Sequence, residues 1–352
     1  MRRNAFPLFA FAFYVVTIVY PVLRVWWWYD ASNLISGALV TLLMIAFLVV
    51  PLALFLSRFV FRLRMPDQFM PSLYSAIGCC FLFFPIVLVI EFVRWIPGFP
   101  HGFESPIAVV CALACAIYAS LNAQRLHVKT LRIRGKPQIE NQSIVQLSDV
   151  HIGSRSPKYL ERIVKKVQRL DPTWVVITGD LLDSHDIGKT ELDPLRQIAD
   201  RTLLVTGNHE RYEGIDRVTS ILESLGVRVL RNEEVDALPF QFVGIDDHDS
   251  PSHLIDQLKR FEPLQDAYRV LLYHRPHGME HASNWGFDLM LVGHTHRGQI
   301  FPFHFIVRRF FRFIHGTHLF GSMTLHISSG TGTWGPILRL GSRNEITRVV
   351  FA

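Results

Sequence analysis

Five short motifs in the second half of the chain carry side chains that could bind metal ions. They are Asp149-Val-His151, Gly179-Asp180-Leu-Leu-Asp183, Gly207-Asn208-His209-Glu210, Tyr273-His274 and Gly293-His294-Thr295-His296. In an extended segment, residues i and i+2 lie on the same side, so Asp149 and His151 can face one ion cluster. His294 and His296 have the same spacing. Mixed carboxylate and imidazole ligands suit Mn²⁺, Fe²⁺ or Zn²⁺ better than Ca²⁺ or Mg²⁺, so the motifs predict a site for two such divalent ions.

Two ions at such a site would favour the hydrolysis of a phosphate ester. Gly179 allows a tight backbone turn, which lets the carboxylate of Asp180 bridge both ions. Ions about 4 Å apart can hold a phosphoryl oxygen and deprotonate a bridging water, and the resulting hydroxide would attack phosphorus in line. The leaving group needs a nearby histidine that does not bind metal, and His209, next to the predicted ligand Asn208, is the candidate. We therefore expect hydrolysis of a phosphodiester or pyrophosphate bond.

Each motif follows a segment that is predicted to form a β-strand. Strand-like runs lie near residues 143–148, 173–178, 202–206, 240–245, 268–273, 287–292 and 324–329, with another at the C-terminus. A helix is predicted to begin at Pro157, with Ser156 as its N-cap. Its apolar residues repeat on one face between Leu160 and Val167. This alternation indicates an α/β fold with helices covering the sheets, and the carboxyl ends of the strands would bring the motifs together.

The first third of the chain is strongly apolar, whereas residues 123–352 have the mixed composition of a globular domain. Four stretches approach the ~20 residues that cross a hydrocarbon core, near residues 6–23, 34–56, 72–93 and 106–122. We predict an all-α transmembrane unit of about four helices over 1–122, a basic linker with a first strand over 123–141, and a catalytic domain over 142–352. All four cysteines lie in the apolar part, which excludes a cysteine-ligated zinc site from the catalytic domain.

The distribution of lysine and arginine predicts the side of the membrane on which the catalytic domain lies. Basic residues cluster before the first span, after the second and after the fourth, whereas the other two loops carry one arginine each, Arg24 and Arg94. The positive-inside rule then places residues 123–352 in the cytoplasm, attached to a multi-pass plasma- or inner-membrane unit. If the shortest span, 106–122, does not cross, the domain lies on the opposite face. The net charge of +6 suits this topology and anionic lipid, so no nucleic acid is expected, and no protein partner is indicated.

Residues 142–352 resemble the calcineurin-like metallophosphoesterase superfamily, and in particular its membrane-anchored branch of transmembrane proteins with a metallophosphoesterase domain. The resemblance is carried by Gln146-Leu-Ser-Asp-Val-His151, Val176-Ile-Thr-Gly-Asp180, Gly293-His-Thr-His296, Gly298-Gln-Ile-Phe-Pro302 and Leu340-Gly-Ser-Arg-Asn-Glu-Ile-Thr347. It implies a two-sheet sandwich flanked by helices.

The same resemblance implies a role for each motif residue. The first metal ion would be held by Asp149, His151 and His296. The second would be held by Asn208, His274 and His294. Asp180 would bridge the two ions, His209 would be the catalytic imidazole, and Asp183 would support a ligand without binding an ion itself.

Basic residues outside the motifs could contact substrate or lipid. Arg297 replaces the small residue that is usual in relatives after the second histidine, and it either contacts a phosphate or points to solvent. The segment 301–314 combines Arg308, Arg309 and Arg312 with seven phenylalanine or histidine rings. We favour an interfacial flap whose arginines face lipid phosphates over a buried connector between sheets.

The sequence thus predicts a membrane-anchored phosphoesterase that acts on a phosphorylated, lipid-linked substrate. Similar pyrophosphatases of the lipid A pathway, which cleave UDP-diacylglucosamine, make that substrate class a reasonable expectation. The alternatives are a broad-specificity phosphodiesterase for soluble nucleotides and a non-catalytic scaffold on the same fold. His248, within the acidic run Asp246-Asp247-His248-Asp249, is assigned to a solvated loop and not to a third metal site.

Overall fold

A computed structural model of the chain describes residues 12–32, 70–250 and 252–351, together with the isolated positions 45, 49 and 53. The chain divides into two units, Met1–Leu121 and Asn122–Ala352. The first unit contains the apolar stretches, and the second contains all five motifs.

The described part of the first unit is helical. A π-helical turn at Val15–Val19 leads into α1 (Tyr20–Ser32), which is followed by α2 (Met70–Val93) and α3 (Glu104–Ala123). Val25 and Trp28 of α1 pack in one buried apolar cluster with Val87 and Ile90 of α2.

Two of these helical segments, Leu73–Val93 and Glu104–Ala123, are long and apolar enough to cross a membrane. They correspond to the third and fourth predicted spans. The second predicted span, 34–56, lies outside the described residues apart from isolated positions, and the first, 6–23, is described only from residue 12. Support for a membrane unit therefore comes from two helices, and the four-helix arrangement stays a prediction.

Two six-stranded sheets form the centre of the second unit within its described residues. In spatial order, the first sheet consists of β1 (Leu126–Ile133), β12 (Asn344–Phe351), β2 (Ser143–Leu147), β3 (Trp174–Thr178), β4 (Thr202–Val205) and β5 (Arg228–Leu230). The second consists of β10 (Gly316–Phe320), β11 (Met323–Ile327), β9 (Leu289–Val292), β8 (Tyr268–Leu272), β7 (Phe240–Gly244) and β6 (Glu233–Ala237). Strands β2 to β5 run parallel, as do β7, β8, β9 and β11, so their carboxyl ends meet at one edge of each sheet.

Helices of different length connect these strands. In chain order they are α4 (Pro157–Leu170), α5 (Lys189–Leu192), α6 (Asn208–Tyr212), α7 (Ile215–Ser224), α8 (Ser252–Leu258), α9 (Met279–Trp285) and α10 (His304–Phe310). Single 3₁₀ turns lie at Pro137–Ile139, Asp193–Gln197, Ala199–Arg201 and His296–Gly298. The last of these turns contains part of the fifth motif.

Helix α4 begins where the sequence predicts. Pro157 lies in its first turn and Ser156 precedes it with extended backbone, although the Ser156 side chain makes no capping hydrogen bond. Leu160, Ile163 and Val167 are wholly buried because their spacing places them on one helix face. That face packs in one apolar cluster with β2 and β3 of the first sheet.

The two sheets stack face to face. Successive residues of β3 point to opposite sides of its sheet, so Val175 and Ile177 join the cluster of α4. Val176 joins a second cluster with Phe240 and Phe242 of β7, which belongs to the other sheet. A third cluster covers the outer side of the second sheet with α8 and α9. The predicted two-sheet sandwich flanked by helices is therefore confirmed.

Each predicted strand run corresponds to an observed strand, and the strand expected in 123–141 is β1. Strands β5, β6 and β10 were not predicted. All three lie at sheet edges, where one side of the strand is unpaired and charged or small residues are common. Glu233–Ala237 accordingly lacks an apolar alternation that could have revealed it.

Candidate metal centre

The site is assembled from loops at the carboxyl ends of five parallel strands. In the first sheet, Asp149 follows β2, Asp180 follows β3, and Asn208 opens α6 after β4. In the second sheet, His274 follows β8 and His294 follows β9. Side chains from both sheets therefore meet where the strands end, as is usual for ligand sites in α/β folds.

The first cluster consists of Asp149, His151 and His296. One donor atom from each lies within 4.8 Å of the others, and all three residues are buried. The Nε2 atoms of His151 and His296 are 3.1 Å apart, and Nε2 of His296 lies 3.4 Å from Oδ1 of Asp149. One cation could contact all three donors.

The second cluster consists of Asp180, His274 and His294, with Asn208 beside them. Nε2 of His274 lies 3.1 Å from Nδ1 of His294 and 3.2 Å from Oδ1 of Asn208. It also lies 3.3 Å from Oδ2 of Asp180. Two imidazoles, an amide oxygen and a carboxylate could therefore bind one metal ion in this cluster.

Asp180 lies between the two clusters. Its Oδ2 atom is 3.3 Å from Nε2 of His274 and 3.8 Å from Nε2 of His151. Although burial disfavours its charged form, the positive charge of the neighbouring His274 lowers the pKa of Asp180 well below its ordinary value. An ionised carboxylate therefore faces both groups.

These donors fit divalent metal ions. Ring nitrogens of His151 and His296 face each other at hydrogen-bonding distance, and two neutral imidazoles can share only one proton there. Burial lowers the pKa of His294 and of His296 well below the ordinary value, so both rings stay neutral and can offer a lone pair. Each group of three or more candidate ligands in the described residues is built from motif side chains.

The ligand loops have unusual backbone conformations. Five motif residues other than glycine have positive φ angles, namely Asp149 (52°), His151 (55°), Asp180 (53°), His294 (72°) and His296 (48°). This left-handed region is uncommon for residues other than glycine, and such strain is concentrated at functional sites. Backbone hydrogen bonds hold the loops together, with Asp149 N–H donating to Gly179 O (3.0 Å) and His151 N–H to Asp180 O (3.1 Å).

Glu210 fixes the loop that carries Asp180. Its buried carboxylate accepts hydrogen bonds from the backbone N–H groups of Gly207 (2.7 Å), Asp180 (2.9 Å) and Leu181 (2.8 Å). Glu210 belongs to the third sequence motif, but no role was predicted for it. Its position three residues after Gly207, at the start of a helix, was the available signal.

Arg339 supports the loop that carries His296 through buried hydrogen bonds. Its guanidinium is wholly buried and donates to the carbonyl oxygens of His296 (2.9 Å) and Gly332 (2.6 Å), and its Nε donates to Asn344 Oδ1 (2.8 Å). Burial lowers the pKa of Arg339 to about 10. No spacing pattern marks this residue, which is an isolated arginine in the run Ile337-Leu338-Arg339-Leu340.

His209 lies at the rim of the first cluster. Its ring centroid is 4.7 Å from that of His151, and its backbone N–H donates to Oδ1 of Asp180 (2.9 Å). Burial lowers the pKa of His209 to about 4. Its protonated form would therefore release a proton readily. The exposed rings of Tyr212 and Trp334 flank it at 5.6 Å and 5.9 Å.

Asp183 contacts a predicted ligand. Its carboxylate lies 3.4 Å from Nδ1 of His151, on the other side of the ring from the clustered Nε2 atom. Ser154 holds that carboxylate through its backbone N–H (2.8 Å) and its hydroxyl (2.5 Å). A carboxylate behind an imidazole fixes the orientation of the ring.

The segment 301–314 is not a buried connector along its helical part. Helix α10 contains no buried residue, and Phe305 and Phe310 are 61% and 72% exposed, although Ile314 is buried. Arg297 and Arg308 line one cavity, whereas Arg309 does not border it. Arg312 forms an ion pair with Glu280 (2.9 Å).

His248 and His326 lie outside the metal clusters. The exposed His248 ring stacks on His253, with centroids 4.6 Å apart. His326 is wholly buried and bonds through Nε2 to Glu345 Oε1 (2.9 Å) and Thr347 Oγ1 (3.0 Å), which is a structural role.

Comparison with known proteins agrees with this geometry. A model of the calcineurin-like phosphoesterase family matches residues 143–298. An uncharacterised metallophosphoesterase of Campylobacter jejuni is 30% identical over 84% of this chain and 86% of its own. A metallophosphoesterase of Aquifex aeolicus is 31% identical over 68% of this chain and 96% of its own.

The chain therefore belongs to the calcineurin-like phosphoesterase family, and its class is that of the metal-dependent phosphoesterases. A bovine (Bos taurus) relative, a transmembrane protein with a metallophosphoesterase domain, is 33% identical over 69% of this chain. The match spans 61% of that longer protein.

Proposed function

We propose that this chain is a membrane-anchored phosphoesterase that uses two divalent metal ions (Mn²⁺, Zn²⁺ or Fe²⁺) to hydrolyse a phosphodiester or pyrophosphate bond of a lipid-linked substrate. In this proposal, residues 1–122 are the membrane unit, 123–141 the linker with the first strand, and 142–352 the catalytic domain. The main support is the position of Asp180 Oδ2, which lies 3.8 Å from His151 Nε2 and 3.3 Å from His274 Nε2. A carboxylate shared by two imidazole clusters suits a pair of ions.

The proposed roles follow the two clusters. One ion is assigned to Asp149, His151 and His296, and the other to Asn208, His274 and His294, with Asp180 shared. When bound, the ions supply positive charge that holds a phosphoryl oxygen and makes water more acidic. His209, held by its N–H bond to Asp180, exchanges a proton at the leaving oxygen. Asp183 keeps the His151 ring in its orientation.

A membrane location is supported by two apolar helices and by the bovine relative's description as a transmembrane protein. The positive-inside distribution of lysine and arginine favours a cytoplasmic catalytic domain in a multi-pass protein. A domain held at the bilayer surface would meet lipid-linked substrates. The proposed contacts with substrate or lipid phosphates are Arg297, Arg308, Arg309 and Arg312.

A phosphodiesterase for soluble nucleotides is the second candidate. The exposed rings of Tyr212 and Trp334 beside His209 favour it, because a nucleobase could stack on them. A non-catalytic scaffold is less favoured, since each proposed ligand position carries a donor side chain and His209 is present.

The test compares substrates on the purified full-length chain in neutral detergent. Bound metals are measured by elemental analysis, and turnover of a lipid diphosphate, a cyclic nucleotide and bis(p-nitrophenyl) phosphate is measured with Mn²⁺ or Zn²⁺. Asp180→Asn is the blank, since it removes the shared charge.

We expect two metal ions per chain and faster turnover of the lipid diphosphate than of the cyclic nucleotide. Faster turnover of the nucleotide would establish the second candidate. A metal-loaded protein that hydrolyses none of the three would favour the scaffold. An active protein without bound metal would contradict the site assignment itself.

A further inference from the structure

A cavity of about 110 Å³ opens beside the loop that carries the metal ligands. Its lining includes Arg297, His304, Arg308 and His315, together with the apolar Phe301 and Ile314. Arg297 directly follows His296, so the Cα atoms of a cavity residue and of a proposed ligand are about 3.8 Å apart. The cavity and the metal centre therefore share one loop.

Two arginines give the cavity a positive charge. Among the described residues, the guanidinium groups of Arg297 and Arg308 make no ion pair and no side-chain hydrogen bond. Other arginines near the site are engaged, as Arg312 is with Glu280 and Arg275 with Asp247. Two unpaired arginines that face one small cavity form a receptor for an anion, and guanidinium groups bind phosphate in two-point geometry.

Burial and the positive charge of the two arginines lower the pKa of the two histidines of the cavity. Burial and the charge of Arg297 lower the pKa of His315 to about 4. Burial and the charge of Arg308 lower the pKa of His304 as well. Neutral imidazoles can donate further hydrogen bonds to an anion without adding charge.

The walls of the cavity are fixed to the ligand loop. A Cβ atom at Gly298 would overlap the backbone of His304, so the missing side chain lets α10 approach the loop closely. The Thr295 hydroxyl donates to Ile314 O (2.6 Å), and Phe301 N–H donates to Leu340 O (2.9 Å). The backbone segments that carry the two arginines are therefore held against the loop of the metal ligands.

An apolar surface lies next to this charge. Phe305, Ile306 and Phe310 of α10 are exposed, and Phe303 just before the helix is exposed too. Exposed aromatic rings beside an unpaired cationic cavity match an amphiphile with an anionic head and an apolar chain.

We propose that the cavity of Arg297 and Arg308 binds a second phosphate group of an amphiphilic substrate, whose apolar chain lies on the exposed face of α10. This inference rests on the proposed function and specifies its substrate as a lipid with two phosphate groups. Of the two alternatives for Arg297, contact with a phosphate or with solvent, the proposal selects contact with a phosphate.

The main test compares KM values of the full-length protein in neutral detergent with Mn²⁺. The substrates are a long-chain alkyl diphosphate and bis(p-nitrophenyl) phosphate, which has no second phosphate. The variants are Arg297→Ala, Arg308→Ala and both together. The double variant Arg169→Ala with Arg228→Ala is the matched control, because it removes the same two charges from exposed positions outside the cavity.

We expect the Arg297/Arg308 double variant to raise KM for the alkyl diphosphate roughly tenfold or more, since each lost charge-assisted hydrogen bond weakens binding severalfold. Hydrolysis of bis(p-nitrophenyl) phosphate should stay within about twofold, as should both activities of the control variant. Equal effects of the Arg297/Arg308 double variant and of the control variant would overturn the inference, because general surface charge would explain them.

Two further measurements separate the outcomes. Calorimetric titration with inorganic phosphate does not need turnover, and the Arg297/Arg308 double variant should bind phosphate roughly tenfold more weakly than the wild type or the control variant. If the Arg297/Arg308 double variant bound phosphate as well as the wild type, the inference would be overturned, even with an active enzyme. If that variant bound phosphate more weakly but the wild type showed no turnover, phosphate binding in the cavity would be supported and the proposed function rejected. If Arg297 and Arg308 affected binding to anionic phosphatidylglycerol vesicles but not KM in neutral detergent, the anion would be a bilayer headgroup, and the substrate assignment would be wrong.

Discussion

Some side chains at the site would contact the metal ions directly, and others hold the ligand loops in position. Asp180 belongs to the first kind, while Glu210 and Arg339 belong to the second, because they bond to backbone groups of the ligand loops. Loops with several left-handed residues store conformational strain, so buried hydrogen bonds of this kind are needed to keep them in place.

Replacing Glu210 with glutamine should weaken metal binding. The amide has one acceptor oxygen, whereas the carboxylate accepts from the N–H groups of Gly207, Asp180 and Leu181. We expect the metal affinity to fall roughly 10- to 100-fold and the free energy of unfolding to fall by about 1–3 kcal/mol. Metal titration and denaturant unfolding measure these changes, with the exposed Glu223→Gln as control. Unchanged metal affinity would show that Glu210 does not position the site.

Replacing His209 with alanine should slow the reaction while leaving metal content unchanged. A proton donor to the leaving group contributes about 10²- to 10⁴-fold to the rate. The loss in kcat should be smaller for p-nitrophenyl esters, whose leaving group needs little protonation, than for alkyl esters. Steady-state kinetics with both ester types measures this, and the exposed His248→Ala is the control. An equal loss for both esters would contradict the role of His209 as proton donor.

At the scale of elements, the loop 330–333 packs directly on the backbone between two proposed ligands. A Cβ atom at Gly332 would overlap the carbonyl of Val150, which lies between Asp149 and His151. The Gly332 N–H also donates to Asp149 O (2.9 Å). The close approach of these two loops therefore fixes the geometry of the first cluster.

Gly332→Ala should push the loops apart. We expect the free energy of unfolding to fall by roughly 3 kcal/mol, since overpacking against backbone cannot be relieved by a rotamer change, and the metal content to fall with it. Gly188→Ala is the control, because the nearest atom to its Cβ would be Glu191 Oε2 at 3.4 Å. Thermal unfolding and elemental analysis of both variants provide the comparison. A Gly332→Ala protein as stable and metal-rich as the control would contradict this packing.

At the scale of the whole catalytic domain, the proposed metal centre joins two sheets. Asp149, His151, Asp180 and Asn208 come from loops of the first sheet, and His274, His294 and His296 come from loops of the second. A ligand that binds only the folded state stabilises it, so bound ions should hold the sandwich together beyond what its apolar core provides.

Removal of metal should therefore lower the unfolding temperature. At a free metal concentration of 100 times Kd, one site contributes about 2.7 kcal/mol, and each kcal/mol shifts Tm by roughly 2–4 °C in a domain of this size. We expect a chelator to lower Tm by about 5 °C or more in the wild type, with recovery on addition of Mn²⁺. Asp180→Asn should show a smaller response, and equal responses of the two proteins in calorimetry would mean that the ions bind elsewhere.

The local sequence was sufficient for most strands and for α4. Periods of apolar residues, Pro157 at a helix start and polar residues after each strand are signals that a short window contains, because neighbours in sequence dictate them. The edge strands β5, β6 and β10 lack such signals, since β5 has only three residues and β6 and β10 bury a single side chain between them, that of Val235.

The sequence by itself determined which functional groups are present, namely carboxylates, imidazoles and guanidinium groups, and at which strand ends they lie. The tertiary structure decided which of these groups meet, as when Oδ2 of Asp180 comes to lie between His151 and His274. It also decided that Arg339 is buried beneath His296, and that Arg297 shares a cavity with Arg308. Such contacts join residues far apart in sequence or on separate elements, so they depend on the stacking and twist of both sheets, which no local pattern encodes.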